Sequence, residues 1–502
     1  MFALPLLLVA AAVPTKGCEE LVPDTAQANY RSITQCLLDE QKVVLGPGTF
    51  LLPHGVKMPS NTSLAGSTVN GLMVSRLLLA VPSAITHYVL QVSSDSEVTS
   101  VVLDGGEMQK DETCCRSVLS LVGNTSLVTD VEVLGSARGI GILVENPTSH
   151  DNLVLRAHVH DCYYGVIFAA GLHSHNQNVV QQGLVEDIYC DAVTFAGHGQ
   201  VRGTVIRRVG YACGAPSFST GAGFFCRGNR QGGLVQSSHV SDTCGMSLDV
   251  DTCSYLDVSQ STFDGSGYDW SGNHTHCWGM PTAALLDSQM CSIRGNQISN
   301  VRASNNISFS GDPHQVYSQV AAQLFSDLPH GNDTIVNFAM LHRPNAGAWP
   351  CVSNEVINNS FTCEDCVAYF AGRGTGYAGH SESQPSTFEG NTVLGLSVRC
   401  GGNLYAAQEP VCRMGSGWPC NADDYLHPET NFRNDHCSHF AADIYPMSVL
   451  PGGLLRNPLP LPSGEVTHKA PTAKPQQSLS APAAPRWQDT GSTPYGMVFR
   501  FG

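Results

Sequence analysis

His160, Glu186 and Arg207 are the residues whose types and spacing first suggest chemistry. An imidazole can take or give a proton, a carboxylate can orient it, and a guanidinium can neutralise an anion. Each stands one place beyond the closing apolar residue of a short pattern, in three successive copies. His158 precedes that apolar residue in the first of these copies, Arg208 follows Arg207, and His239 lies in the next copy. Together they suit proton abstraction at a carbon beside a carboxylate. Such a proton is weakly acidic, so the carboxylate must be neutralised while a base and an acid act.

The pattern is an apolar residue, two free positions, a small or amide residue, one free position and a second apolar residue. It reads Val128-Thr-Asp-Val131-Glu-Val133, and recurs from Val154, Val180, Val201, Val235, Val258, Ile293, Val356 and Phe388. Self-similarity at intervals of about 20–50 residues is the mark of stacked repeats. Most copies are followed by a second alternating segment, such as Ile140-Gly-Ile142, Val166-Ile-Phe168, Val193-Thr-Phe195 or Met246-Ser-Leu248. Alternation with β-branched and aromatic residues predicts strands, and the Gly, Asn, Asp and Ser between them predict tight turns. Short strands repeated in one order predict a coil stacked on itself at about 4.8 Å, an all-β parallel β-helix. The Asn296, Asn359 and Asn391 series predicts a side-chain amide ladder at the bend. A leucine-rich horseshoe needs a regular Leu spacing that is absent.

If the closing apolar residue of each copy points inward, its neighbours point outward. The outward pairs are then Glu132 and Leu134, His158 and His160, Leu184 and Glu186, Val205 and Arg207, His239 and Ser241, Thr262 and Asp264. The following segments are blander, with Gly141, Ile167 and Thr194 outward and Asp249 the exception. Insertions near 207–222, 265–282 and 310–350 interrupt the coils. The first carries Tyr211, a candidate acid; the second carries Tyr268, Trp270 and Trp278. Aromatic rings beside a row of charges suit a sugar polymer, with His158, Arg208, Tyr268, Trp270 and Trp278 as binding residues. The plainer reading is a solvated outer face with Glu186 and Arg207 as a structural pair.

Upstream, Val43-Val-Leu-Gly-Pro-Gly-Thr-Phe50, Met58-Pro-Ser-Asn-Thr-Ser-Leu-Ala-Gly66 and Val101-Val-Leu-Asp-Gly105 resemble the opening coils of the pectate-lyase-like superfamily of right-handed β-helices. The resemblance covers roughly residues 40–400. It implies that fold, and an activity among polysaccharide lyases, uronate C5-epimerases and polygalacturonase-type hydrolases. Asp312-Pro-His314-Gln315 is similar to the Asp-Pro-His-Glu motif of mannuronan C5-epimerases. That likeness implies that Asp312 holds or neutralises a uronate while His314 exchanges protons; Gln315 departs from the motif. Ala196-Gly-His198-Gly199 is similar to the Gly-His-Gly of polygalacturonase-type hydrolases, but the paired aspartates expected before it are missing.

Composition sets bounds. Phe2–Val13 is an apolar run ending in small residues, so 1–17 reads as a secretory signal peptide. Residues 18–42 read as an N-terminal capping region with a helix over 24–41, capped by Asp24. Residues 43–450 read as the β-helix with a Cys-rich C-terminal region, and 451–502 as a Pro-rich disordered tail. No run long enough to span a bilayer is present. Nineteen cysteines fit an oxidising, extracellular setting, with Cys18 and Cys36 a candidate pair. Cys363-Glu-Asp-Cys366 has no second pair at metal spacing, so no metal site is predicted. Asn61, Asn124, Asn273, Asn306, Asn332 and Asn358 lie in glycosylation sequons. A net charge of −16 argues against nucleic acid as partner.

These readings converge on a secreted enzyme acting on a uronate-containing polysaccharide by C5 proton abstraction, as lyase or epimerase. Arg207 neutralises the carboxylate, His160 or His239 is the base, Tyr211 the acid, and Glu186 orients a histidine. No cofactor is required, and a bound Ca2+ stays open as an alternative. Two rival readings remain: an inverting hydrolase using Glu186 and Asp264, and a non-catalytic glycan-binding or adhesive solenoid.

Overall fold

The computed structural model describes residues 18, 20–80, 87–106, 117–145, 149–169, 177–210, 221–265, 282–286, 288–299, 335–341, 353–362, 366–371, 386–394, 430–433 and 436–437. The expected signal peptide, all three expected insertions over most of their length, and the Pro-rich tail lie outside them.

Among the described residues the strands form three parallel sheets, two of thirteen strands and one of eleven, with a short antiparallel pair at Thr68–Val69 and Leu72–Met73. Each of the first eleven turns contributes one strand to each sheet in fixed order, and the last two contribute to the first two sheets. The chain is a right-handed parallel β-helix, the hand that nearly all parallel crossovers take. Each copy of the pattern straddles the corner between the first two sheets. Its first apolar residue lies in the first sheet, where Val128, Val154, Val180, Val201, Val235 and Val258 are neighbours in register. Its second lies in the second sheet, as in the column Val133, Val159, Val185, Ile206, Val240 and Phe263. All are essentially buried. In the third sheet Phe168, Phe195 and Phe224 stack on successive rungs, with centroids 5.4 and 6.3 Å apart.

The corner between the first two sheets is made by one residue per rung with positive φ. Ser100, Asp130, Arg156, Gln182, Gly203, Ser237, Gln260, Gly295 and Asn358 all lie between 51° and 63°. Outside glycine this conformation costs roughly 1 kcal/mol or more. Here each N–H still donates to the next rung, as Arg156 does to the carbonyl of Gln181 at 2.9 Å, so the ladder runs unbroken around the bend. The next residue turns inward. Along that column the amide ladder appears as expected and is longer than the three asparagines. The backbone N–H of Ser238 donates to Ser261 Oγ at 3.1 Å, and that of Ser261 to Asn296 Oδ1 at 2.9 Å. Asn296 Nδ2 donates to Asn359 Oδ1 and Asn359 Nδ2 to Asn391 Oδ1, both at 3.1 Å. A second ladder before the first sheet joins Ser126, Asn152 and Asn178.

The capping helix spans Ala26–Asp39, and its N-cap is Thr25, not Asp24: Thr25 Oγ1 accepts from the backbone N–H of Ala28. Asp24 lies one place early and instead accepts from the Thr25 N–H. Ile33 and Leu37 are buried against the first coil, and Asn29 Nδ2 donates to the Leu51 carbonyl at 3.1 Å. The helix thereby covers the apolar end of the stack. The Cys18–Cys36 disulfide ties it to its leader, and Cys226–Cys253 crosses two later rungs.

The outward expectation for Gly141 is corrected. A Cβ there would meet Val159 Cγ1 at 2.5 Å, so the position faces the core. Gly165 and Gly223 stand equally close to second-sheet valines, and the residues after these glycines, Ile142, Val166 and Phe224, also lie in the core, so strict alternation does not hold there. The strand expected at Met246–Leu248 is Leu248–Asp251. Ile167, Thr194 and Asp249 face away from the main core but are themselves buried.

Asn359 is 1% exposed, and its side chain bonds the backbone of the preceding rung, at the Asn296 N–H and the Ile293 carbonyl, and the Asn391 side chain of the next. Asn359→Ala would leave the Asn296 N–H unpaired in the core and break the amide ladder on both sides. The expected loss is about 3 kcal/mol, read as a lower unfolding midpoint in urea. Asn358→Gly, at the adjacent exposed corner, is expected to change stability little.

Candidate functional site

The second sheet presents two outward columns. One runs Glu132, His158, Leu184, Val205, His239 and Thr262; the other runs Leu134, His160, Glu186, Arg207, Ser241 and Asp264. The expected His160–Glu186–Arg207 series therefore occupies three successive rungs of one column. The bonds cross between columns as well as follow them. His158 Nε2 meets Glu186 Oε1 at 3.0 Å, and His160 Nε2 meets Glu132 Oε1 at 3.2 Å, both diagonally. Arg207 Nε donates along the column to Glu186 Oε2 at 2.6 Å.

Arg208 completes the network from a positive-φ position near the end of the strand Val205–Val209. Its Nη2 donates to Glu186 Oε2 at 2.6 Å and to Asp187 Oδ2 at 2.7 Å, and its Nε to Asp187 Oδ1 at 2.6 Å. The equivalent residue two rungs earlier, Asp161, holds His160 Nδ1 at 2.7 Å. The rings of His158 and His160 lie 4.4 Å apart at 32°.

Glu186, its side chain only 10% exposed, is the hub. Burial pushes its carboxyl pKa up. The hydrogen bond from Arg207, the charge of Arg208 and the bond from His158 outweigh burial and hold it below the usual range. Burial opposes the charged form of His160, but its bonds to Asp161 and Glu132 prevail and raise its pKa. Carboxylates on both ring nitrogens thus favour the charged form of His160. His158 is different: among the described residues only its Nε2 is engaged, which leaves Nδ1 open. Arg207 has one bond, through Nε, so its terminal nitrogens are unclaimed in a side chain 43% exposed.

The five residues His158, His160, Glu186, Arg207 and Arg208 thus come together as one network. His239 is exposed, three rungs from His158 in the same column, and no bond joins it to the cluster. Asp264 stands three rungs beyond Glu186. Tyr211, Tyr268, Trp270, Trp278, Asp312 and His314 lie outside the described residues. His198 sits at the opposite side of the coil, after the third-sheet strand Val193–Phe195, with Nδ1 against the Gln231 carbonyl at 3.1 Å. It cannot join the cluster. Glu132 was placed outward from sequence but given no role, and Asp161 and Asp187 were not singled out. The available signal was the Asp or Gly that follows copy after copy: Gly135, Asp161, Asp187, Asp242 and Gly265. Among the described residues no group of three or more His, Cys, Asp or Glu side chains is arranged to hold a metal ion.

No family model and no curated protein matches the chain. Solved structures do match in fold. The A-module of a mannuronan C-5 epimerase from Azotobacter vinelandii is 13% identical, with a TM-score of 0.46 over 85% of this chain and 99% of its own. DFA-IIIase from Arthrobacter chlorophenolicus, in complex with GF2, is also 13% identical, with a TM-score of 0.48 over 74% and 90%. The catalytic unit of a GH87 α-1,3-glucanase from Streptomyces thermodiastaticus is 11% identical, with a TM-score of 0.48 over 84% and 67%. At these identities the likeness is one of fold alone.

The two shifted groups give opposite pH dependences. His160 has a raised folded-state pKa, so its stabilising contribution is full below its ordinary value of 6.5 and is lost as pH rises through the raised value. Glu186 has a lowered one, so its contribution is full above its ordinary 4.5 and is lost as pH falls through the lowered value. Melting temperatures of His160→Gln and Glu186→Gln, each subtracted from wild type, are expected to converge on zero at the alkaline and the acid end respectively.

Proposed function

We propose that this chain is a secreted enzyme acting on a uronate-containing polysaccharide by C5 proton abstraction, with the lyase outcome favoured. The observation that carries the reading is the Glu186 hub. It holds a histidine whose second nitrogen is open and an arginine whose terminal nitrogens are unclaimed. Arg207 binds and neutralises the uronate carboxylate, which acidifies the C5–H. His158, its Nε2–H fixed on Glu186, takes the C5 proton at Nδ1. This moves the base from His160 and His239, the sequence-based choices, to His158. The electron pair left at C5 forms the C4=C5 double bond, and the C4–O4 bond breaks. His160, its charged form favoured by two carboxylates, supplies a proton to the departing O4 through Nε2, whose bond to Glu132 is the longer of its two.

Because His158 and His160 stack side by side, base and acid address one face of the sugar. Epimerisation needs a donor on the opposite face, so the pair favours elimination. The inverting-hydrolase reading fits less well. Glu186 and Asp264 are three rungs apart, about 14 Å, against the roughly 6.5–9.5 Å required, and Glu186 is already saturated with donors. Secretion is supported by the Cys18–Cys36 and Cys226–Cys253 disulfides. Glycosylation is supported by the exposure of Asn61 and Asn358. The mechanism requires no cofactor.

The test is incubation with a panel of uronate-containing and neutral polysaccharides. A lyase gives unsaturated products absorbing in the ultraviolet. New reducing ends without that absorbance mean hydrolysis, C5 proton exchange without cleavage means epimerisation, and saturable binding without turnover means a non-catalytic binder; each overturns the lyase reading. On the true substrate, His158→Gln is expected to lower kcat about 10²–10⁴-fold. Arg207→Gln is expected to lower kcat/KM about 10²-fold or more, with both variants keeping the wild-type circular dichroism spectrum.

A further inference from the structure

The outward column beside the charged one turns apolar on the two strands that carry Glu186 and Arg207. Between His158 and His239 it carries Leu184 and Val205 on consecutive rungs. Val205 is 37% exposed, and Leu184 is partly so. Val205 is thus an apolar side chain left partly open to solvent in mid-sheet. Two residues further along its strand, about 7 Å away, stands Arg207 with its terminal nitrogens unclaimed and its Nε pinned to Glu186 at 2.6 Å. Pinning through Nε directs the remaining fork outward, the geometry that receives a carboxylate in two parallel bonds. His158 and His239 border the aliphatic floor three rung intervals apart, roughly 14 Å.

This surface has an apolar floor, a cationic fork along one edge and a polar side chain at each end. A pyranose offers the matching faces: C–H groups on one side, hydroxyls at the rim and, in a uronate, one carboxylate. We infer that one acidic sugar unit is seated with its apolar face on Leu184 and Val205 and its carboxylate on the terminal nitrogens of Arg207. Val205 is thereby a specificity-determining residue and Arg207 a carboxylate receptor. The inference rests on the reading of the second sheet as glycan-facing and names the unit it takes.

Floor and fork make separable demands. Removing the fork costs the preference for acidic over neutral sugars, because a neutral ring still has its floor. Charging the floor costs both kinds, and an acidic unit more, because an aspartate at 205 repels the carboxylate as well as wetting the seat.

The experiment is titration calorimetry of the full chain with oligogalacturonate, oligomannuronate, a neutral cello-oligosaccharide and polyglutamate. The variants are Val205→Asp, Val205→Thr, Arg207→Gln and Arg207→Lys, with Glu97→Gln on the first sheet as control. Circular dichroism checks each fold; Val205→Thr keeps a β-branched residue at the site should the aspartate disturb the strand. At least one uronate oligomer is expected to bind. Val205→Asp and Arg207→Gln should weaken it by about tenfold or more, Val205→Thr by less, and Arg207→Lys should recover part of the loss. Arg207→Gln should leave any neutral-sugar binding in place. The proposal is overturned if no uronate binds, if Val205→Asp and Arg207→Gln bind like wild type, or if polyglutamate binds as tightly as the sugar. Turnover with an unchanged KM in both variants would sink the seat while leaving the enzyme standing. Binding that depends on Val205 and Arg207, without turnover on any glycan, would uphold the seat and remove the chemistry.

Discussion

The bend between the first and second sheets uses one residue per rung, and that economy sets the phase of the outer surface. A single residue at φ near 55° carries the chain from one sheet into the next without breaking the inter-rung hydrogen bonds. The count from the buried valine of the first sheet to that of the second is therefore constant. Had the corner varied by one residue, the next strand would present its core face to solvent. Because it does not vary, polar side chains from sequence positions 21 to 28 residues apart meet within hydrogen-bond distance.

Within the aligned columns, electrostatics sorts the groups. Glu186 gathers His158, Arg207 and Arg208 on its two oxygens, so three donors share one nearly buried charge. Arg208 is spent on Glu186 and Asp187, whereas Arg207 spends only its Nε. Two arginines adjacent in sequence thus have different standing: one completes the scaffold, the other is left with donors for a ligand. The same contrast divides the histidines. His160 has a carboxylate on each ring nitrogen, and His158 has one on a single nitrogen. A surface ion pair is ordinarily worth little; the near-burial of Glu186 sets this network apart.

Much of this was legible because alternation is a strict code. The pattern from Val154 to Val185 already fixes His160 and Glu186 as outward and in register, and the Asn296, Asn359 and Asn391 column follows from the same count. Alternation does not encode the direction in which a long side chain leans. The diagonal His158–Glu186 and His160–Glu132 contacts depend on rotamers set by neighbours, so the base could not be chosen between two histidines of one strand. The Asp161 and Asp187 partners sit at corners, where turn chemistry and not the strand period governs. The third sheet was read with Gly141 in the wrong phase because Gly141 and Ile142, consecutive in the chain, both face the core, which strict alternation does not anticipate. His239 was placed one rung beyond Arg207, which is right, but in the other column, which counting rungs alone does not distinguish.

The bend column also changes along its length. From Thr204 to Ser261 it is hydroxyl-bearing, while at Asn296, Asn359 and Asn391 each amide both donates to and accepts from its neighbours. The Ser238 and Ser261 hydroxyls donate within their own rungs, whereas each asparagine amide reaches across to the rung beside it. Coils in the earlier part could be duplicated or deleted during evolution at little cost, since each brings its own small residue. In the later part, gain or loss of a coil must keep the asparagine series continuous, so the chain's length is freer to drift at one end than at the other.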